Sequence, residues 1–170
     1  EARLDFNLPP DLVAYLKELD RFIAAEIRPL EQADDNIRFF DHRREHARTD
    51  WDRGGLPREE WEDLLRQAKD RADKAGHFRF ARPREMGGTA GGNLAMAVIR
   101  EHLAARGLGL HNDLQNEHSI VGNSVGALLM WNYGTDAQKK EWLEDLAAGK
   151  RGFAFGITEP KHGSDATHME

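Results

Sequence analysis

Six apolar residues, Leu12, Leu16, Leu19, Ile23, Ile27 and Leu30, recur at steps of three and four. No other feature constrains the fold as much. The spacing lays one continuous stripe along one face of a helix, and such a stripe has to be buried against further helices. Pro9-Pro10-Asp11 opens this first helix. Pro29, which has no N–H and crowds the preceding turn, is expected to kink or end it.

The rest of the chain repeats the pattern until its last eighteen residues. Residues 32–56 carry many charges and few periodic positions, and read as a long loop with a turn of helix, packed by Phe39, Phe40 and Trp51. A second helix is expected from Pro57, buried through Trp61, Leu64, Leu65, Ala68 and Ala72, and stopped by Gly76. Residues 78–83 read as extended. A third helix runs from an N-cap at Asn93 to Gly107, and a fourth over 113–133, where Gly122, Gly126 and Ala127 allow a close neighbour. Met130 and Trp131 belong to its buried face. Thr135-Asp136-Ala137-Gln138 has the form of a capping box opening a last helix that ends at Gly149, with Trp142, Leu143 and Leu146 inward. The fold class is mainly α, an up-and-down helical bundle, followed by a short β segment.

Composition narrows the function classes. With 30 acidic against 24 basic residues the net charge is −6, and no Lys/Arg-rich run offers a nucleic-acid footprint. There is no Cys, so disulfides and thiolate chemistry are excluded. No apolar run approaches the roughly 20 residues of a membrane span. Glu1 and Asp5 lie where a secretory signal would be apolar, so a cytoplasmic location is expected. No Met opens the chain, which reads as trimmed at its start.

The last segment carries the chemistry. Gly152-Phe153-Ala154-Phe155-Gly156-Ile157 alternates apolar and small residues, as the start of a buried strand does. It runs into Thr158-Glu159-Pro160-Lys161-His162-Gly163-Ser164-Asp165, a bend offering hydroxyls and backbone N–H groups to a polar, phosphorylated ligand. This stretch resembles the flavin loop of the acyl-CoA dehydrogenase family, Thr-Glu-Pro-x-x-Gly-Ser-Asp. Six fixed residues coincide by chance only about once in 10⁷–10⁸ at a given position. Upstream, Glu26-Ile27-Arg28-Pro29, Pro83-Arg84-Glu85-Met86-Gly87-Gly88 and Tyr133-Gly134-Thr135-Asp136-Ala137-Gln138-Lys139 are similar to family segments in the same order. The stretch 32–56 looks like an insertion relative to shorter members.

The resemblance implies a flavoenzyme that dehydrogenates an acyl-CoA thioester at its α and β carbons, with FAD as cofactor. It implies a helical domain over residues 1–152 and, over 153–170, the first strand and flavin loop of a β-domain that continues elsewhere. The catalytic glutamate is then expected beyond residue 170, and the fragment alone is expected to be inactive. By position, Phe155 and Ile157 lie along the flavin ring, Thr158 bonds its pyrimidine edge, Gly163 admits the pyrophosphate, and Ser164 bonds a phosphate oxygen or the pantetheine arm. His111, Asn116 and Ser119 are candidate substrate-side residues, since this region of relatives lines the acyl pocket. Implied partners are acyl-CoA, an electron acceptor such as an electron-transfer flavoprotein, and further copies of the chain in a homo-oligomer.

The same residues admit other readings. Acyl-CoA oxidases, nitroalkane oxidases and flavin-dependent hydroxylases share the scaffold, and a helical domain can also serve as a non-catalytic interaction module. His42-Arg43-Arg44-Glu45-His46 fits the His-x-x-Glu-His zinc pattern, but Arg43, Arg44 and Arg48 would repel a divalent cation, so a charged surface is expected instead. Glu117 as a substitute base is less favoured than Glu117 as a solvated acid. Gly87-Gly88 and Gly91-Gly92 match neither a P-loop nor a dinucleotide fingerprint.

Overall fold

The computed structural model describes residues 6–41, 46–113, 118–122 and 125–168. The first stripe forms α1 (Pro10–Phe22), which passes without a break through a π-helical turn, Ile23–Ile27, into α2 (Arg28–Gln32). Pro29 therefore neither ends nor interrupts the helix. Arg28 N–H reaches back five residues to Ile23 O just before the proline, and the widened turn gives the ring room. The same turn keeps the stripe in line. Two successive steps of four, Leu19 to Ile23 to Ile27, would drift by about 40° each on a regular α-helix. Widening the turn removes that drift, and all three are buried.

The segment 32–56 is more ordered than its sequence implies. A 3₁₀ turn at Asn36–Phe40 buries Phe39. β1 (Thr49–Asp50) and β2 (Leu56–Pro57) then pair antiparallel, Thr49 opposite Pro57 and Asp50 opposite Leu56. Phe39 and Phe40 pack on Trp61 at 5.2 and 5.8 Å between ring centroids. Trp51 does not join them. It is 64% exposed, and its indole N–H donates to His46 Nδ1.

Pro57 lies in β2, and α3 runs over Glu59–Lys74 with exactly the expected face buried: Trp61, Leu64, Leu65, Ala68 and Ala72. Gly76, at φ +84°, turns the chain out of the helix, a conformation glycine adopts without strain. Residues 78–83 form successive turns instead of an extended run. They are followed by a 3₁₀ turn, Arg84–Met86, whose end is Gly87 at φ +75°. α4 (Asn93–Ala104) is capped by Gly92, so Asn93 is its first residue and not its cap.

Among the described residues the helix expected over 113–133 forms in its second half and not at its start. β3 (Asn112–Asp113) and β4 (His118–Ser119) pair antiparallel, and α5 covers only Val125–Tyr133. Thr135 and Gln138 make the reciprocal capping box, 3.3 Å from Gln138 N–H to Thr135 Oγ1 and 2.9 Å from Thr135 N–H to Gln138 Oε1. It opens α6 (Asp136–Gln138), a π-helical turn at Lys139–Leu143 and α7 (Glu144–Ala147).

One core joins α1, α2, α3 and α4, with Phe78, Phe80, Leu110, Ile120 and Val121 filling the gaps. A smaller one joins Met86, Ala127 and Ala147, with Trp131, Leu143 and Leu146 half-buried around it. Each fully buried Leu or Ile contributes about 1.5–3 kcal/mol by leaving water. Ion pairs knit the helices at their ends. Asp20 on α1 accepts from His102 of α4 at 2.8 Å and from Arg106. Arg79 forks onto Asp73 at 2.6 and 2.9 Å and also reaches Glu144 of α7 at 2.6 Å. Those bonds raise its pKa. The chain is a mostly helical bundle with two short hairpins, and among the described residues no helix is long and apolar enough to cross a membrane.

Candidate functional site

Residues 152–157, expected to start a buried strand, pair with no other strand among the described residues. An extended segment that is to be buried needs a neighbouring edge to satisfy its N–H and C=O groups. Phe153, Phe155 and Ile157 are 52%, 64% and 38% exposed. Phe153 nevertheless touches the bundle. A Cβ on Gly126 of α5 would lie 2.7–2.9 Å from its side chain, so the small residue there is what admits the ring. Phe155 packs on Phe153 at 5.7 Å.

The bend that follows is closed by reciprocal backbone bonds, Glu159 N–H to His162 O at 3.0 Å and His162 N–H to Glu159 O at 3.2 Å. Closing the loop on those two residues leaves Thr158 and Ser164 exposed at its shoulders. Around Gly163 an added Cβ would meet nothing within 4 Å. Asp165 then caps the 3₁₀ turn Ala166–His168, accepting from Thr167 Oγ1 and His168 Nδ1 at 2.6 Å each. These bonds, Thr167 first and His168 second, hold its carboxyl below the usual range. Sequence reasoning missed this cap, although Asp followed two residues later by Thr is a familiar turn-forming pair.

The other candidates lie elsewhere. His111 and Ser119 are 0% and 1% exposed, closed inside the main core. His111 Nε2 bonds Leu103 O at 3.2 Å, and Ser119 Oγ accepts from Val121 N–H at 3.1 Å. His111 thus ties the chain ahead of β3 to α4, Ser119 closes a local turn after β4, and neither side chain is open to solvent. Asn116, Glu117 and His42-Arg43-Arg44-Glu45 lie outside the described residues. Among the described residues no group of three metal-ligating side chains converges.

Two buried charged groups were not foreseen. Glu31 is 2% exposed, held by Arg28 at 3.0 Å, and accepts from Leu110 N–H at 3.4 Å. Arg82 is 1% exposed, donates to Ala147 O and lies 5.3 Å from the Phe78 ring centroid. Burial, followed by the adjacent Arg79 cation, pushes its guanidinium down to about 10, which leaves it charged at neutral pH.

Buried imidazoles make stability depend on pH. Burial pushes His77 below its ordinary value of 6.5, and burial with the Arg28 and Arg106 cations does the same to His111. The unfolded chain then binds protons that the folded chain refuses, so this stability is complete above the ordinary value and is lost progressively as the pH falls from there through the lowered folded values. Acidification from about pH 7.5 to about pH 5.5 is expected to lower Tm by several degrees. Calorimetric scans of the wild type and of a His77→Gln/His111→Gln double variant check this. An equally steep slope in the double variant would assign the effect to other groups.

Comparison with known proteins follows the same outline. The acyl-CoA dehydrogenase N-terminal domain family matches residues 31–150. Acyl-CoA dehydrogenase FadE12 of Mycobacterium tuberculosis is 34% identical over 95 residues, covering 56% of this chain and 23% of the relative. The caffeyl-CoA reductase-Etf complex subunit CarC of Acetobacterium woodii is 31% identical over 111 residues, 65% of this chain and 28% of the relative. Glutaryl-CoA dehydrogenase of Desulfococcus multivorans is 29% identical over 168 residues, 98% of this chain and 36% of the relative. That last alignment extends the similarity past the domain match and through most of the 158–165 loop. The chain spans 23–36% of the length of these three relatives. No solved structure gives a significant match.

Proposed function

The chain belongs to the acyl-CoA dehydrogenase family, and on that premise we propose that it supplies the N-terminal helical domain and the flavin loop of an FAD-dependent acyl-CoA dehydrogenase. Residues 1–152 are the helical domain, and residues 153–170 enter a β-domain. The observation that carries this reading is the 158–165 loop. Its backbone closes on itself at Glu159 and His162, while the hydroxyls of Thr158 and Ser164 face outward beside an open Gly163. Exposed Phe153, Phe155 and Ile157 lead into it, as apolar residues awaiting a sheet and a ring system would.

These residues fit a flavin dinucleotide. The flavin supplies the hydride acceptor that no side chain can provide. Thr158 binds the pyrimidine edge through hydroxyl and backbone N–H, and Phe155 and Ile157 cover the ring and exclude water. Gly163 lets the backbone approach the pyrophosphate, and Ser164 holds a phosphate oxygen or the pantetheine arm. The thioester α-proton is weakly acidic and needs an aimed base; we assign that base to a glutamate outside these 170 residues. His111 and Ser119 brace the hairpin from within instead of touching the acyl chain. Acyl-CoA as substrate and an electron-transfer flavoprotein as electron acceptor agree with the names of the relatives. A homo-oligomer completes the proposed assembly.

Expression of the complete gene product tests the reading. It should purify yellow and bleach when an acyl-CoA is added anaerobically. Thr158→Ala and Ser164→Ala should each weaken FAD retention by about tenfold, as loss of one phosphate or ring hydrogen bond does. A colourless protein that takes up no FAD would overturn it.

A further inference from the structure

A cleft of about 490 Å³ opens between the C-terminal half of α3 and the end of α7, and no residue of the 158–165 loop lines it. Its cations are Arg66, Lys69, Lys74, Arg79 and Lys150, and its acids are Asp70, Asp73 and Glu144. Five cations against three acids leave a local charge of +2, in a chain whose net charge is −6. The acids are already taken. Asp70 pairs with Lys74 at 2.6 Å, and Asp73 and Glu144 both bind Arg79. Arg66 pairs with Asp63, which does not line the cleft.

Lys69 and Lys150 are thus the cleft's cations that make no ion pair among the described residues. Lys150 is exposed, but Lys69 is half-buried, its stem 3.5 Å from where a Cβ on Gly149 would lie. A half-buried lysine with no carboxylate in ion-pair contact, Glu62 acting on it only from a distance, gains from an anion that joins it. The helix dipole does not account for it. Cations in the last turn of a helix offset its C-terminal charge, but that effect fades within one turn. Arg71 and Lys74 occupy the last turn of α3, and Lys69 precedes it.

We propose that this cleft binds the phosphoryl group of a phosphate monoester, with Lys69 and Lys150 as its two cationic contacts. Two ammonium groups match a dianion, and the volume exceeds what orthophosphate fills, leaving room for the group esterified to it. Burial lowers the pKa of Lys69, with Glu62 opposing part of the effect. A bound dianion would reverse that tendency and gain from it.

Thermal unfolding of the chain in AMP, in orthophosphate and in sodium chloride of equal ionic strength tests the proposal. AMP is expected to raise Tm by a few degrees over chloride once its concentration exceeds Kd severalfold. Lys69→Met, which keeps an apolar stem, should weaken binding at least tenfold, and Lys150→Gln should do so by severalfold. Lys17→Met on the exposed face of α1 should leave it unchanged. A larger shift with AMP than with orthophosphate identifies an ester ligand; equal shifts identify free phosphate in the same site. No shift above chloride, or a shift retained in a folded Lys69→Met variant, overturns the proposal. The cleft does not involve the flavin loop, so either result leaves the FAD experiment independent.

Discussion

Gly88→Ala is expected to destabilise the chain by about 3 kcal/mol, at the upper end of what single substitutions do. A methyl there would lie 2.1 Å from Arg82 O and 2.5 Å from Arg79 O. Both are backbone atoms, so no rotamer change relieves the clash. The loop is also tied from several sides. Phe80 O accepts from Thr89 N–H at 3.2 Å, from Thr89 Oγ1 at 2.8 Å and from Gly91 N–H at 3.2 Å, while Ala90 N–H donates to Arg82 O at 2.8 Å. Displacing it would pull Arg82 from Ala147 O and Arg79 from Glu144, loosening α7. Urea unfolding compares Gly88→Ala with Gly152→Ala, whose added methyl meets nothing within 4 Å and should change stability by less than about 0.5 kcal/mol. Equal midpoints would mean the backbone does not approach so closely.

The second large effect is Trp61→Ala, with a loss of about 3–5 kcal/mol. Trp61 is 3% exposed, yet its loss reaches beyond α3 because Phe39, Phe40 and Arg48 all pack on it. Phe39 and Phe40 stack against it, and the Arg48 guanidinium lies 4.2 Å from its ring centroid. Arg48 Nε in turn donates to Phe39 O at 2.8 Å, and Arg48 O accepts from Arg58 N–H at 2.9 Å. Trp61→Ala should therefore speed amide exchange across the 3₁₀ turn and the β1–β2 hairpin together, under conditions where α4 still protects its amides. Trp51→Ala, at an exposed indole, should leave both stability and exchange nearly unchanged. Global loss of stability with no selective change in this segment would refute the anchoring role.

How much of this was legible beforehand depends on whether a residue's role is local. The buried face of α3 matches its apolar spacing residue for residue, and the Thr135 capping box could be read because its bonds span only three positions. The Gly87-Gly88 turn was recognised as a motif, but its reason was not visible. One glycine supplies a left-handed φ, while the other makes room for carbonyls whose positions only the folded loop fixes. Of the helix expected over 113–133 the described residues form the part from Val125 onward, because apolar residues near Val121 satisfy a helical period while the pairing of Asn112 with Ser119 is a contact the pattern does not record. Glu31 and Arg82 were overlooked for a related reason. A charged residue looks solvated in sequence, and only tertiary partners such as Leu110 N–H and Ala147 O make its burial tolerable. In the candidate site, residues 158–165 form one bend as their sequence suggests, whereas the burial of His111 and Ser119 depends on tertiary packing that composition does not record.

The wide turn at Ile23–Ile27 has a consequence for how this helix tolerates changes of length. A five-residue turn is what remains when one residue is added to a regular helix and the surplus is taken up locally. Removing Ala24 or Ala25, both facing solvent, would return the backbone to ordinary pitch while Leu12, Leu16 and Leu19 upstream and Leu30 downstream keep their bearing on the core. The same deletion three turns earlier would swing every later apolar side chain by about 100°. The molecule thus carries a built-in slack link, placed just ahead of the proline where an unyielding rod would otherwise have had to bend.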